Sequence, residues 1–152
     1  MYAAIWLLLG VLQTPIQHMT NYDIADHFAL LSKLMDIHGE NSFKSKSYSV
    51  AAFNIEKLPA EAAQMDDATL FSMKGIGDST GKKIRELLTT GRMQALEEIL
   101  ARTPAGILDM LKIKGLGPKK IAVIWAELGI ESLGELEYAC NENRLVALKG
   151  FG

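Results

Sequence analysis

The sequence predicts an all-α fold made of short helices. Apolar residues recur at helical spacing in successive segments, and no segment shows the sustained apolar–polar alternation that is typical of a half-buried strand. A glycine-bounded corner between helices also occurs repeatedly, starting at Gly75, Gly115 and Gly150. Because an amphipathic helix must bury one face, we expect these units to form stacked helical hairpins.

The first helices precede any glycine corner. Apolar residues at helical spacing predict a helix over residues 21–38, and Gly39 provides its stop. A polar connector is expected over residues 39–47, followed by a second helix around residues 48–55. Proline then begins a short helix over residues 59–65.

Two helices flank the first corner. Asp66 or Asp67 can cap a short helix that runs through Phe71, because a carboxylate there accepts hydrogen bonds from the free amides of the first turn. After the corner, a helix is predicted over about residues 80–90, and Gly91 ends it.

The remaining helices surround the second corner. One covers residues 92–102, and Pro104 fits the first turn of the helix after it. Beyond the corner a helix over residues 118–128 stops at Gly129, and a last helix covers residues 132–142.

Charge is distributed unevenly along a chain whose formal net charge is only -2, a value that argues against wholesale nucleic-acid binding. Residues 73–92 contain five basic and two acidic side chains, residues 111–125 contain four lysines and no acid, and glutamates gather in residues 127–142. Local positive charge, rather than net charge, is what the recognition of phosphate requires.

Cysteine and histidine usage excludes some site classes. The single cysteine, Cys140, excludes an internal disulfide and suggests a reducing, cytoplasmic compartment. His18, His27 and His38 show no metal-ligand spacing together with it, so we expect no zinc site. We expect no organic cofactor either.

The first 18 residues form a leader of uncertain status. Its apolar run of eleven residues is too short to span a membrane, and it lacks the cleavage site of a signal peptide. We expect Met19 to be the natural start, and we expect no membrane partner. A real packing or membrane-surface segment stays open as the alternative.

The glycine corners are predicted to bind anions. Glycines can adopt positive φ and allow close backbone approach, and the helix that follows points its free amides and positive dipole outward. Lys119 and Lys120 add charge in the first turn of the second copy, while Ile76 and Leu116 should point inward. Ordinary tight turns with solvated lysines are the alternative, but two full copies and the start of a third, "LKGFG", favour phosphate binding.

"KGIGDSTGKKI" and "KGLGPKKIAVI" resemble helix-hairpin-helix motifs, which bind the DNA backbone without reading base sequence. Residues 19–152 as a whole resemble the amino-terminal region of family X DNA polymerases, most closely the bacterial enzymes that carry a PHP phosphoesterase domain. The resemblance implies a lyase-type domain over residues 19–91. It implies a fingers-like subdomain over residues 92–152, with a second hairpin and a truncated third.

The same resemblance implies that the palm and PHP domains lie outside this chain, which is then expected to be a fragment of a longer repair polymerase. No polymerase activity is expected from it alone. The implied partners are the palm domain and gapped or 5′-phosphorylated DNA in the nucleoid, and the chain is expected to be a monomer.

Site residues follow from the resemblance position by position. The downstream 5′-phosphate would lie on Gly75 and Gly77 beside Lys44 and Tyr48, and the upstream primer strand on Gly115 and Gly117. Further DNA contacts are expected from Lys74, Ser79, Lys82, Lys83, Lys119 and Lys120.

The resemblance also implies a monovalent cation, K⁺ or Na⁺, at each hairpin. Its ligands would be the backbone carbonyls of two triplets of residues: Phe71, Met73 and Ile76, then Leu111, Ile113 and Leu116.

Lys83 stands where repair members of the family carry a lysine that forms a Schiff base with deoxyribose phosphate. Lys82 and Arg85 could lower the pKa of its amine and so favour attack on an aldehyde. Ser79, however, replaces a basic residue of that pocket, and Lys83 could instead only contact phosphate. Three functions are therefore weighed: a DNA-binding repair module, a lyase, and a helical interaction domain that does not bind DNA.

Overall fold

The computed structural model describes residues 19–151, and within that range it contains helices and no strand, which confirms the all-α prediction. Two short 3₁₀ turns, Ala62–Gln64 and Leu145–Ala147, accompany eight α-helices. The helices are α1 (Asn21–Ile37), α2 (Ser42–Glu56), α3 (Asp67–Ser72), α4 (Gly77–Thr90), α5 (Gln94–Ala101), α6 (Ala105–Met110), α7 (Pro118–Leu128) and α8 (Leu133–Asn141).

Helix α1 is the central element of the core. Its apolar face, including Ile24, Phe28 and Leu34, is fully buried. The helix packs most extensively against α2 and also contacts α5 and α7. Helices from both halves of the chain therefore pack against α1. Burial of the apolar face of α1 supplies the main apolar driving force for their association.

Side-chain caps set where the first three helices begin. Thr20 and Asp23 form a reciprocal capping box at α1, and the Asp66 carboxylate accepts from the Thr69 amide at α3, which settles the choice between the two aspartates. Asn41 caps α2 by accepting from the amides of Phe43 and Lys44. The predicted connector over residues 39–47 is wrong from Ser42 onward, because this cap starts the helix there.

The structure also corrects the helix that was predicted for the segment after α2. The helix expected over residues 59–65 is only the turn Ala62–Gln64. The Asn21 side chain takes the backbone groups that such a helix would use, donating to the Ala60 carbonyl at 2.9 Å and accepting from the Ala62 amide at 2.8 Å. These two bonds tie the loop to the first residue of α1.

Two helix starts also differ from the prediction. Helix α4 begins at Gly77, inside the corner, rather than near residue 80. Pro104 is the residue before α6 rather than a member of its first turn, and its extended backbone (ψ 141°) leads into Ala105.

The end of α1 contacts the second half of the chain. The His38 Nε2 atom lies 2.8 Å from the Thr103 hydroxyl, and the His38 ring meets the Trp125 ring edge-on with centroids 5.1 Å apart. Arg102 forms an ion pair with Glu40 beside them. These polar and aromatic contacts fix α1 against α5 and α7.

The leader, residues 1–18, lies outside the described residues. Across residues 19–151, no helix combines the length and apolar character needed to cross a membrane.

Candidate nucleic-acid interface

The first two corners have the same backbone hydrogen bonds. In the first, the Met73 amide donates to Leu70 and the Ile76 amide donates to Met73, each at 3.1 Å. In the second, the Ile113 amide donates to Met110 and the Leu116 amide donates to Ile113, again at 3.1 Å. The sequence repeat is thus a structural repeat.

The third corner repeats these bonds as well. The Leu148 amide donates to Leu145 at 3.0 Å, and the Phe151 amide donates to Leu148 at 3.2 Å. The first glycine of every corner has a positive φ, +81° at Gly75, +85° at Gly115 and +91° at Gly150. A side chain would strain the backbone there, which explains why glycine recurs.

The second glycine differs between the two complete corners. Gly77 has a φ of +67°, whereas Gly117 has a φ of -83° and a ψ of 171°. Gly117 therefore does not use the positive φ that glycine allows. The following Pro118 disfavours a folded backbone at the preceding residue and drives Gly117 into an extended conformation.

Close packing fixes the first corner in place. Ile76 is only 5% exposed, in agreement with its predicted inward orientation, and Leu116 of the second corner is half-buried against the core. A Cβ added to Gly75 would lie 2.0 Å from Asn54 Nδ2, so α2 approaches this glycine directly. A Cβ on Gly81 would lie 2.3 Å from the Phe71 ring, so α3 and α4 also pack tightly.

The predicted contact residues lie around these corners at different depths. Six of the predicted side chains are exposed and available to a ligand: Lys44, Lys74, Ser79, Lys82, Lys119 and Lys120. Lys83 is half-buried, with its Nζ atom 5.8 Å from the ring centroid of Tyr48. Tyr48 is itself 3% exposed and packs on Phe28. The structure thus brings Lys83 and Tyr48 together.

An open cavity of about 600 Å³ lies between α2 and the first corner. Gly75 and Gly77 line one side of it, and Phe43, Lys46 and Val50 line the other. Of the two nearby lysines of α2, Lys46 is among the described residues that line the cavity, and the predicted Lys44 is not. Sequence reasoning missed Lys46 because residues 42–47 were assigned to a connector, where helical spacing was not considered.

Arg85, which was expected to act on Lys83, makes its polar contacts with residues in and before α3. Its guanidinium Nε atom forms an ion pair with Asp67 at 2.6 Å and other nitrogens donate to the carbonyls of Ala62 and Met65. These partners lie in and before α3, so the charge of Arg85 is neutralised there.

A second open cavity, of about 380 Å³, lies between the second and third corners. Lys114, Gly115 and Lys120 line it on one side and Phe151 on the other. The Lys120 Nζ atom is 5.7 Å from the ring centroid of Phe151. Both complete corners therefore border an open space with a lysine and an aromatic side chain beside the glycines.

Residues 19–93 match the family described as a helix-hairpin-helix domain, and residues 107–152 match the SAM-like helix-hairpin-helix tandem. The chain therefore contains helix-hairpin-helix domains in both of its halves. In these terms α3 and α4 form the first hairpin and α6 and α7 the second. Helix α8 leads into the third corner.

The helix-hairpin-helix chain is also similar to a curated protein. It is 34% identical over 134 residues to the DNA polymerase/3′-5′ exonuclease PolX of Bacillus subtilis, an alignment that covers 88% of this chain. The chain spans only 23% of that relative's length. The resemblance to family X DNA polymerases is confirmed by this match.

Proposed function

We propose that these helix-hairpin-helix domains bind DNA through its sugar–phosphate backbone, without reading base sequence. The observation that carries the proposal is the set of features that the first two corners share. Each has a glycine at positive φ, the same turn bonds and a helix that begins directly after it, with exposed lysines in the second copy's first turn. Free amides and a positive dipole at such a helix start favour phosphate oxygens.

The finer part of the proposal is a preference for gapped DNA with a 5′-phosphate. The first corner would take the downstream 5′-phosphate, and the second, at Gly115 and Gly117, the upstream strand. Lysines lie around both corners. Because lysine–phosphate pairs release counterions, DNA binding at these corners should weaken as the salt concentration rises. The similarity to a DNA polymerase supports the further proposal that the module works beside a polymerase palm in DNA repair at the nucleoid, as a monomer.

A monovalent cation at each hairpin is part of the same proposal. Phe71, Met73 and Ile76 occupy places in the first turn that correspond to Leu111, Ile113 and Leu116 in the second. Backbone carbonyls are neutral oxygen donors of the kind that coordinate K⁺, and a carbonyl in a turn bond keeps a second lone pair. The donor set fits a K⁺ or Na⁺ ion, which would neutralise charge beside a bound phosphate.

The experiment is fluorescence anisotropy of a labelled gapped duplex, with and without the 5′-phosphate, at several salt concentrations. We expect log Kd to rise linearly with log salt, and the phosphorylated duplex to bind more tightly at each concentration. Lys119→Ala should weaken binding to both duplexes, while Lys33→Ala, an exposed lysine of α1, is the matched control. Absence of binding at low salt would contradict the proposal and favour the helical interaction domain.

Lyase chemistry is a second candidate, favoured by the position of Lys83. The amine is half-buried beside Tyr48 rather than free in solvent, and it lies one helical turn beyond the exposed Ser79. In its neutral form, an amine in this place could attack the aldehyde carbon of a 5′-deoxyribose phosphate held at the first corner, and loss of one water molecule would give the imine.

A further inference from the structure

We infer that the contacts of His38 with Thr103 and Trp125 determine which gap lengths the chain accepts in DNA, because they fix the separation of the two complete corners. The inference rests on the proposed DNA binding and deepens it by naming positioning residues for gapped DNA. His38 ends α1, whereas Thr103 and Trp125 belong to the second half of the chain. None of the three lies at a corner, so they act through the helices that they join.

The first corner is held to α1 through α2. Ile76 is only 5% exposed, and a Cβ added to Gly75 would lie 2.0 Å from Asn54 Nδ2, so the corner packs directly on α2. Helix α2 in turn packs along α1, where the Tyr48 ring meets that of Phe28. Because close-packed side chains leave little room for displacement, the first corner keeps its position relative to α1.

The second corner is held to α1 through α7. The first residue of this helix, Pro118, directly follows Gly117 of the corner. Trp125 lies two turns farther along the same helix, and its ring meets the His38 ring edge-on with centroids 5.1 Å apart. The Trp125 Nε1 atom also donates to the Glu131 carboxylate at 3.0 Å, which fixes the plane of the indole. Since a short helix behaves as a rigid element, the contact that positions Trp125 also positions the second corner.

A hydrogen bond prevents α1 from rotating about the aromatic pair. The His38 Nε2 atom lies 2.8 Å from the Thr103 hydroxyl, in the loop before α6. His38 therefore contacts the second hairpin at two points, one before α6 and one on α7. Apolar packing of α1 on α5 and α7 is non-directional, whereas a hydrogen bond and an edge-on ring contact each require a defined geometry. These two contacts therefore set the orientation of the second hairpin relative to α1.

A fixed separation of the corners selects among gap lengths. Two linked binding sites reinforce each other only when their separation matches that of the groups they bind. In gapped DNA, the distance from the upstream strand to the downstream 5′-phosphate changes with the number of missing nucleotides. A rigid chain therefore engages both corners over a narrow range of gaps. A chain that pivots at His38 would bind the matched gap less tightly and would discriminate less between gaps.

The first test measures Kd by anisotropy for a series of duplexes with gaps of increasing length. We expect Trp125→Leu to weaken binding to the preferred gap by about 5-fold or more, and to leave binding to an ungapped duplex within about 2-fold of the unmodified chain. Trp125→Phe keeps an aromatic edge for His38 and should retain most of the preference. Thr103→Val removes only the hydroxyl partner of His38 and should flatten the profile to a smaller degree.

Thr20→Ala is the control for lost stability. It removes the capping box at the opposite end of α1 from His38, so it weakens the same helix without changing the contacts of His38. The dependence of Kd on gap length should keep its shape in this variant.

The second test measures the separation of the hairpins without DNA. Spin labels are placed at Ala68→Cys on α3 and Glu127→Cys on α7, both exposed positions outside the predicted DNA contacts, with Cys140→Ser to remove the native thiol. Pulsed electron–electron resonance then gives the distribution of label distances. We expect a narrow distribution in the otherwise unmodified chain and in Thr20→Ala, and a broader or shifted one in Trp125→Leu.

The outcomes separate this inference from the proposed function. A changed distance distribution and a flattened gap profile in Trp125→Leu, both absent from Thr20→Ala, support the inference. An unchanged distribution or profile in Trp125→Leu, or equal changes in Thr20→Ala, overturns it while the proposed DNA binding stands. Equal binding of all gap lengths by the unmodified chain also overturns it. If that chain binds no DNA, the proposed function fails and the inference fails with it, whatever the label distances show.

Discussion

The Nε2 atom of His38 lies 2.8 Å from the Oγ1 atom of Thr103, at the junction between the end of α1 and the loop before α6. The Thr103 hydroxyl donates its own proton to the Ile99 carbonyl at 2.6 Å, so it accepts from His38. The imidazole therefore carries its proton on Nε2. Burial and the nearby Arg102 guanidinium lower the pKa of His38 below its ordinary value of 6.5, against a smaller opposing effect of Glu40.

Stability should therefore fall in mild acid. Above pH 6.5 His38 is neutral in both the folded and the unfolded state, whereas below it the unfolded state binds the proton first. The free-energy advantage of the unmodified chain over His38→Asn should shrink as the pH falls from 6.5 through the lower folded pKa. Urea midpoints of both proteins between about pH 8 and pH 5 measure it. A constant advantage across this range would contradict the pKa shift.

Removing the cap of α2 should weaken the helix that carries Lys46. The Asn41 Oδ1 atom accepts from the Phe43 amide at 3.0 Å and from the Lys44 amide at 3.2 Å. Asn41→Ala should cost about 1 kcal/mol of unfolding free energy, because two amides of the first turn lose their acceptor. Asn41→Ser is the control, since serine can replace the acceptor. Denaturant titration of the two variants is the measurement, and equal losses would argue against the cap.

The start of α2 at its Asn41 cap is one feature of the fold that the apolar pattern of the sequence does not predict. Apolar spacing predicted α1 and the helices around the corners, because burial of one face leaves a periodic record in the sequence. The first turns of α2 have no such apolar pattern, since Phe43 is exposed. The start of this helix, and with it the position of Lys46, was therefore not predicted. The Asn21 contacts to Ala60 and Ala62 depend on residues far apart in sequence, which no local pattern contains. The extended Gly117, by contrast, was predictable from the proline after it.

Two glycines in helices should respond oppositely to alanine. A Cβ on Gly106 would lie 2.0 Å from the Glu131 carbonyl oxygen and 2.6 Å from the Ser132 Cα, both backbone atoms that cannot move independently. Gly106→Ala should destabilise the fold by about 2–3 kcal/mol through overpacking of α6 on this loop. Gly134→Ala in α8 meets nothing within 4 Å and should stabilise by up to about 1 kcal/mol. Thermal unfolding of the pair tests this; a tolerated Gly106→Ala would contradict it.

Alanine at Gly117 should separate binding from folding. Its φ of -83° is compatible with alanine and a Cβ there meets no atom within 4 Å, so stability should change by less than about 0.5 kcal/mol. The same Cβ would occupy the space through which a phosphate backbone approaches the corner, and DNA affinity should fall by about 5-fold or more. Gly134→Ala serves as the control for both measurements. Undiminished anisotropy binding by Gly117→Ala would place the DNA elsewhere.

Neighbouring lysines on α4 should differ in covalent chemistry if the chain has lyase activity. Lys83 is half-buried with its Nζ atom 5.8 Å from the Tyr48 ring centroid, whereas Lys82 is exposed on another side of the helix. Borohydride should therefore trap the chain on a duplex with a 5′-deoxyribose phosphate, and Lys83→Ala should abolish this product while Lys82→Ala retains it. Both variants should also lose some DNA affinity, because each lacks one positive charge. An anisotropy titration measures this loss, so that it can be separated from a loss of trapping. Trapping that persists in Lys83→Ala would assign the imine to another amine, and absence of trapping in the unmodified chain would leave Lys83 a phosphate contact.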